Sequence, residues 1–239
     1  MADSFRRILD IHADFELAPH MVVFSHGFGV ERTARGMFSD IVQALPEGYG
    51  YVLFDYYEVT DTTVNISTFE DQQRMLLSII AWLSEQAAVT DISLVAHSMG
   101  CVVAALAQPP EIKHAVMLAP PLQINERTRD YFTQKFGAQQ RDGLWTIPRG
   151  DGTTTVIPSA VFDELSGLEA AALLLDYAAV QPFALVLPAH DEVLGETDYN
   201  DLALDEHITA QTIDDSDHNF TGDSRTAMIQ TTVEWLTAE

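Results

Sequence analysis

Ser98 lies in a segment whose residue types suit nucleophilic chemistry. The apolar residues 92–95 predict a buried strand and residues 101–107 predict a helix, so that Ala96-His97-Ser98-Met99-Gly100 forms the turn between them. A serine at the tip of such a turn presents its hydroxyl at the C-terminal edge of a sheet, where the N–H of the next residue can face an oxyanion. The turn therefore predicts Ser98 as a nucleophile, and the plainer interpretation is a serine that caps the helix.

A nucleophilic serine needs a general base and an acid that orients the base, and the C-terminal part of the chain supplies both. Asp191 follows the apolar residues 183–187, and His218 follows the next strand-like run. We predict His218 as the base and Asp191 as the carboxylate that holds its ring. Glu192 and Asp198 are the alternatives for the acid, and Asp191 is preferred because it lies nearest the strand end.

Other chemistry is possible for some of these residues. Asp214, Asp215 and Asp217 could form a metal site with His218, but no two-histidine ligand spacing accompanies them, and carboxylate-rich loops are usually solvated. The single cysteine, Cys101, is predicted to pack in the core, because a buried thiol without a cationic neighbour is a poor nucleophile. We therefore expect neither a metal nor a cofactor.

Together these segments resemble the catalytic apparatus of the α/β-hydrolases. The turn around Ser98 is similar to their nucleophile elbow, except that Ala96 stands where the G-x-S-x-G pattern has its first glycine. The order serine, acid, histidine along the chain is also theirs. His26-Gly27-Phe28-Gly29 resembles the oxyanion loop of lipases and esterases in the superfamily. The resemblance implies an oxyanion hole formed by the backbone N–H groups of Phe28 and Met99.

The predicted elements position these residues at one edge of a sheet. Short apolar runs alternate with helix-like segments, which indicates a doubly wound, mostly parallel α/β fold. Residues 1–121 and 181–239 are predicted to form this core. The alternation stops over residues 122–180, where we expect a lid inserted after the strand that follows the nucleophile helix. Turn residues 148–152 predict a hairpin in the lid, with helices around residues 127–136 and 168–177.

Two local patterns predict details of the core helices. Ser67 and Glu70 have the spacing of a capping box at the start of one helix. Ile229, Val233 and Leu236 have the spacing of the apolar stripe of the last helix. We expect this last helix to pack on the sheet through these three side chains.

The lid composition suggests what the site accepts. A compact lid made of helices and a hairpin is similar to that of bacterial feruloyl (cinnamoyl) esterases. Leu144, Trp145, Phe162 and Val193 lie on the lid or near the active edge of the sheet, and we expect them to line an apolar substrate pocket. Ordinary packing of a lid on its core is the alternative for these residues.

Composition excludes several classes of partner. The 239 residues include 36 acidic and 12 basic side chains, a formal net charge of -24. Phosphate contacts need clustered Lys and Arg, so we expect no nucleic-acid partner and no binding to anionic membranes. No segment approaches the ~20 apolar residues that span a bilayer, and no secretory apolar segment follows Arg6 and Arg7. We expect a cytoplasmic protein that acts on a small ester, with its oligomeric state open.

These observations predict a serine hydrolase that cleaves carboxylic esters through an acyl-enzyme. Feruloyl-type or other aromatic acyl esters and short-chain acyl esters are the expected substrates, and monoacylglycerols, thioesters and polyesters are the alternatives. The alternative of another class is a non-catalytic α/β-hydrolase scaffold that binds a ligand or a partner. The relative positions of Ser98, Asp191 and His218 distinguish an enzyme from such a scaffold.

Overall fold

The apolar runs of the sequence form buried strands, and the segments between them form helices. The computed structural model describes residues 13–123, 137–150 and 152–238. In chain order, the elements are β1 (Ala13–Glu16), β2 (His20–Ser25), α1 (Met37–Ala44), β3 (Tyr49–Phe54), β4 (Glu58–Val59), β5 (Thr63–Asn65), α2 (Phe69–Ser84), β6 (Asp91–His97), α3 (Met99–Ala107), β7 (Ile112–Leu118), β8 (Gln139–Arg141), β9 (Leu144–Pro148), β10 (Thr154–Pro158), α4 (Ser159–Ser166), α5 (Ala170–Ala178), β11 (Phe183–Pro188), α6 (Asn200–Ala203), β12 (Ile208–Ile213) and α7 (Ser224–Leu236).

The main sheet has the strand order β1-β3-β2-β6-β7-β11-β12. Its neighbouring strands are parallel, except that β1 pairs antiparallel with β3 at the edge. The predicted doubly wound, mostly parallel sheet is confirmed. Because β6, β11 and β12 run in the same direction, the residues that follow them meet at one edge of the sheet.

Helices cover both faces of this sheet, as a parallel sheet requires. On one face, Leu76 and Leu83 of α2 and Val102 of α3 belong to one buried apolar cluster. On the other face, Phe38 of α1 and Met228 of α7 belong to a second cluster. Burial of each such side chain contributes roughly 1.5–3 kcal/mol, so these two clusters fix the strands that carry the candidate site.

The described strands also form a second sheet, with the order β4-β5-β10-β9-β8. Its centre is the predicted hairpin, in which Ile147 of β9 pairs antiparallel with Thr155 of β10. Strand β10 also pairs in parallel with β5. The sequence does not predict β4 or β5, because both strands are short and Glu58 and Val59 are exposed. The second sheet therefore draws its strands from both sides of residue 122.

The helices of the predicted insertion were only partly anticipated. Helix α5 matches the helix predicted over residues 168–177, and the helix predicted over residues 127–136 lies outside the described residues. Helix α4 was not predicted. In it, Glu164 accepts hydrogen bonds from the N–H groups of Phe69 and Glu70 at 2.9 and 3.4 Å. Its carboxylate therefore caps α2 and attaches α4 to the core.

One local prediction about the core helices is wrong, and a second is confirmed only in part. The N-cap of α2 is Thr68, which accepts a bond from the N–H of Asp71, whereas the hydroxyl of Ser67 donates to the carbonyl of Tyr56. On α7 the buried side chains are Ser224, Met228, Thr232 and Leu236. The predicted stripe is therefore confirmed at Leu236, and Ile229 is half-buried against the same cluster. Val233 is half-buried, and the neighbouring Thr232 is the buried side chain of that turn. Among the described residues, no helix is long and apolar enough to cross a membrane.

Candidate active site

Ser98 occupies the sharp turn between β6 and α3. Its backbone has φ 53° and ψ -124°, a conformation that non-glycine residues rarely adopt. The N–H of Ser98 donates to the carbonyl of Leu118 in the neighbouring strand β7, at 2.8 Å. Strand pairing therefore holds the strained turn, which points the serine hydroxyl away from the sheet edge.

Gly100 allows this turn to lie against strand β2. A methyl group on Gly100 would lie 2.8 Å from the carbonyl oxygen of His26, 2.7 Å from the carbonyl carbon of Ser25, and closer still to the Ser25 oxygen. Real Cβ atoms essentially never approach backbone atoms this closely. The second glycine of the elbow is therefore required by the crossing of α3 over β2.

Replacing Gly100 with alanine is expected to lower the free energy of unfolding by about 3 kcal/mol, because the clash is with backbone that cannot move without disturbing the sheet. Urea unfolding of the wild type and Gly100→Ala measures the effect. Gly150→Ala is the matched control, since a methyl group there meets nothing within 4 Å. Equal stability of the two variants would contradict this account of the turn.

The structure brings together the three side chains that the sequence predicts as nucleophile, base and acid. Nε2 of His218 lies 3.0 Å from Oγ of Ser98, and Nδ1 of His218 lies 2.7 Å from Oδ2 of Asp191. The side chains of His218 and Asp191 are both buried. A carboxylate only accepts, so Nδ1 carries the proton and leaves Nε2 as the acceptor for the serine hydroxyl.

Asp191 is the predicted acid that contacts the histidine ring, and the two alternative acids bond elsewhere. Its second oxygen, Oδ1, accepts bonds from the N–H groups of Val193 and Leu194 at 2.9 and 2.7 Å. Glu192 accepts from the backbone N–H of His218 at 3.0 Å, and Asp198 accepts from that of Asn200 at 2.9 Å. The turn after β11 thus orients the Asp191 carboxylate before any substrate binds.

His97 binds the backbone carbonyl of His218, whose backbone N–H is bound by Glu192. Its Nε2 donates to the carbonyl of His218 at 3.0 Å, and the two rings lie 5.0 Å apart between centroids. Burial lowers the pKa of His97 to about 3, so this ring is neutral. Together with Glu192, it fixes the main chain of His218 at both its N–H and its C=O.

The buried His97 predicts a specific loss of stability in acid. Its folded-state pKa lies below the unfolded value of about 6.5, so below about pH 6.5 the unfolded chain binds a proton that the folded chain excludes. The free energy of unfolding should therefore fall as pH falls, and His97→Gln should remove about 2 kcal/mol of the loss between pH 8 and pH 5. Urea unfolding at both pH values measures it. The exposed His207 supplies the control His207→Gln, and equal pH dependence of the two variants would refute the prediction.

Sequence reasoning missed the residues that hold the loop carrying His218. Arg225, in the first turn of α7, donates to the carbonyls of Asn219 and Phe220 at 3.0 and 2.8 Å. Ser216 accepts from the N–H of Ala189 at 3.0 Å and so links this loop to the one that carries Asp191. The one signal in the sequence was Arg225 itself, a basic residue that follows the His218 loop in a chain with few basic residues.

The predicted oxyanion loop, residues 26–29, lies against Ser98. A methyl group on Gly27 would approach Cβ of Ser98 to 3.1 Å, so the loop passes the nucleophile at van der Waals distance. His26 accepts from the N–H of Tyr56 through Nε2 at 3.0 Å, which leaves Nδ1 to donate to the carbonyl of Gly27 at 2.9 Å. Burial lowers the pKa of His26, which keeps the ring in this neutral form. Met99 follows Ser98 as the first residue of α3.

The four predicted pocket residues fall into two groups. Trp145 and Phe162 are half-buried and contact each other edge to face, with ring centroids 5.6 Å apart. Leu144 and Val193 are exposed.

No group of three or more His, Cys, Asp or Glu side chains is arranged to hold a metal within the described ranges. There, Asp217 accepts bonds from the N–H groups of its own turn.

Comparisons with known proteins agree with the fold. The sequence profile of the Alpha/beta hydrolase family matches residues 22–231. Est1E from Butyrivibrio proteoclasticus with bound ferulic acid has a TM-score of 0.70 and 16% sequence identity, over 95% of this chain and 95% of that one. The esterase domain of a Rhodothermus marinus protein has a TM-score of 0.66 and 18% identity, over 93% and 90%.

A monoacylglycerol lipase of Paleococcus ferrophilus has a TM-score of 0.62 and 15% identity, over 94% of this chain and 97% of that one. No curated protein sequence matches the chain. At these identities the solved structures share the fold, whereas the family profile covers most of the sequence. The chain therefore belongs to the α/β hydrolase family.

Proposed function

We propose that this protein is a serine hydrolase that cleaves carboxylic esters through an acyl-enzyme. The observation that carries the proposal is the continuous series of contacts from Ser98 Oγ to His218 Nε2 (3.0 Å) and from His218 Nδ1 to Asp191 Oδ2 (2.7 Å). In this arrangement a base can take the serine proton while a carboxylate stabilises the imidazolium that forms. A binding scaffold has no need of an ordered and buried base beside a strained serine.

In the first half of the reaction, Ser98 Oγ attacks the carbonyl carbon of the ester. Its proton passes to Nε2 of His218 as the Oγ–C bond forms, and the carbonyl oxygen becomes an oxyanion. The N–H groups of Phe28 and Met99 donate to that oxyanion. The bond from the carbonyl carbon to the alcohol oxygen then breaks. His218 returns its proton to that oxygen, and the alcohol leaves an acyl group on Ser98.

In the second half, water replaces the alcohol. His218 takes a proton from the water while its oxygen attacks the acyl carbon, and the second oxyanion uses the same two N–H groups. The bond between carbon and Oγ then breaks, and the proton on His218 returns to Ser98. The acid is released, and no cofactor enters either half.

Aromatic or short-chain acyl esters are the substrates that we propose. The support is the edge-to-face pair of Trp145 and Phe162 in the insertion, since aromatic walls stack well on a flat acyl group. The similarity in fold to Est1E, which was solved with ferulic acid bound, is consistent with this substrate class. Monoacylglycerols and thioesters are the substrate classes to compare against it.

The test combines turnover with covalent labelling. Purified protein is assayed on methyl ferulate, on p-nitrophenyl esters of increasing chain length, on a monoacylglycerol and on an acyl thioester. In parallel it is treated with a fluorophosphonate, and the labelled peptide is mapped by mass spectrometry. We expect turnover of the aromatic and short-chain esters and a single adduct on Ser98. A folded protein that neither labels nor turns over any ester would favour a binding scaffold.

A further inference from the structure

The Tyr57 side chain lies against the predicted oxyanion loop, residues 26–29, and contacts the main chain of Gly27 within the loop and of Val30 just after it. The phenol oxygen lies 3.1 Å from the carbonyl oxygen of Gly27 and 2.9 Å from that of Val30, and it accepts a bond from the N–H of Val30 at 3.0 Å. The side chain is buried. Burial also raises the pKa of the Tyr57 phenol, so the hydroxyl remains a donor at neutral pH. One hydroxyl thus connects the beginning of the loop to the residue after it.

The contact with Gly27 bears on the proposed oxyanion donor. The carbonyl of Gly27 and the N–H of Phe28 belong to the same peptide group, which is planar and rigid. A bond that fixes the direction of the carbonyl oxygen therefore fixes the opposite direction of the N–H. Hydrogen bonding at the carbonyl also polarises the peptide and strengthens its N–H as a donor.

Arg149 holds the same loop from the second sheet. It lies between β9 and β10, and its Nη1 donates to the carbonyl of Gly29 at 2.5 Å and contacts Oγ1 of Thr155 at 3.3 Å. Thr155 is itself paired with Ile147 within the sheet. The oxyanion loop is therefore attached to the core through Tyr57 and to the predicted insertion through Arg149.

We propose that Tyr57 and Arg149 are positioning residues that hold the Phe28 N–H where the oxyanion forms. This inference rests on the proposed function. Because the oxyanion exists in the transition state and not in the bound ester, loosening the loop should lower kcat and leave KM nearly unchanged. A residue that only supports the fold would instead change the amount of active protein, without altering its affinity for a transition-state analogue.

Tyr57→Phe tests the first contact, because it removes the hydroxyl and keeps the ring. We expect kcat on a p-nitrophenyl ester to fall about 10- to 100-fold, with KM within about threefold, since loss of a whole oxyanion donor costs about 10²- to 10³-fold. Affinity for an aryl trifluoromethyl ketone, whose serine adduct carries the oxyanion, should fall by the same factor as kcat. Tyr49→Phe is the matched control, since the Tyr49 hydroxyl donates to the carbonyl of Leu236, at 3.1 Å, on α7.

Arg149→Met tests the second contact, and Arg149→Lys tests whether a cationic donor restores it. We expect about a tenfold loss of kcat in the first variant and partial recovery in the second, because lysine can still donate to Gly29. Arg141→Met is the control, being an exposed arginine of the same sheet that pairs with its neighbour Asp142. This series also decides the inference if Tyr57→Phe fails to fold by circular dichroism.

The inference is overturned if Tyr57→Phe and Arg149→Met keep kcat and analogue affinity within twofold of their controls. It is also overturned if kcat falls while analogue affinity does not. Failure of the proposed function looks different, because the wild type itself would then show neither turnover nor phosphonate labelling.

Discussion

Ser98→Ala is expected to lower kcat/KM for p-nitrophenyl butyrate by about 10⁵-fold and to abolish labelling by a fluorophosphonate. Without Oγ there is no atom to form the acyl-enzyme, and only the oxyanion donors and substrate binding remain to assist water. The fold should persist, because the substitution removes a hydroxyl that bonds to the ring of His218.

The matched control for this variant is Cys101→Ala, which removes the chain's one thiol three residues further on. Burial raises the pKa of the Cys101 thiol, and its sulfur faces the carbonyl of Leu118 inside the core. We expect kcat/KM within about threefold of the wild type and full labelling. Residual activity above one per cent in Ser98→Ala, with loss of activity in Cys101→Ala, would move the nucleophile to the cysteine.

The meeting of Ser98, Asp191 and His218 could be predicted from the sequence because each follows a segment that the sequence predicts as a strand. Parallel strands present their carboxyl ends at one edge of a sheet, so β6, β11 and β12 bring together residues that are 27 to 120 positions apart. The prediction needed no side-chain detail. It depended on which segments form strands and helices and on their order along the chain, and hydrophobic patterns predict both well.

The second sheet could not be predicted in the same way. Strands β4 and β5 have two and three residues, too few for an alternation of apolar and polar residues to be visible. Strand β5 pairs with β10, which is about 90 residues away along the chain, and β4 pairs with β5. The pairing of β5 with β10 depends on the tertiary fold and cannot be predicted from either segment alone. Local prediction therefore found the hairpin of β9 and β10 and missed the strands that join it to the core.

The residues that support the site were hidden for a different reason. Glu192 and His97 act on the N–H and C=O of His218, which every non-proline residue possesses, so no pairing of residue types marks such a contact in a sequence. For Thr68 and Ser67, too, the sequence alone does not decide which contact each hydroxyl makes. Either hydroxyl could cap α2, and the carbonyl of Tyr56, brought close by the fold, takes the hydroxyl of Ser67.

Asp191→Asn is expected to lower kcat/KM by about 10³- to 10⁴-fold at neutral pH with little effect on the fold. The amide can still accept from the N–H groups of Val193 and Leu194 through its oxygen, so the turn keeps its shape. Its NH₂ group would then face Nδ1 of His218 and place the ring proton on Nε2. That tautomer donates to Ser98 and cannot take the serine proton.

Two further amide substitutions make this experiment decisive, because the sequence offers three carboxylates for one role. Asp198→Asn makes the same chemical change on an exposed side chain that accepts from the N–H of Asn200, and we expect activity within twofold of the wild type. Glu192→Gln weakens the bond to the backbone N–H of His218 and should cost less than tenfold. A large loss in either of these variants, with Asp191→Asn nearly active, would show that the acid had been assigned to the wrong residue. The predicted order of losses instead follows from one distance, the 2.7 Å between Asp191 Oδ2 and His218 Nδ1.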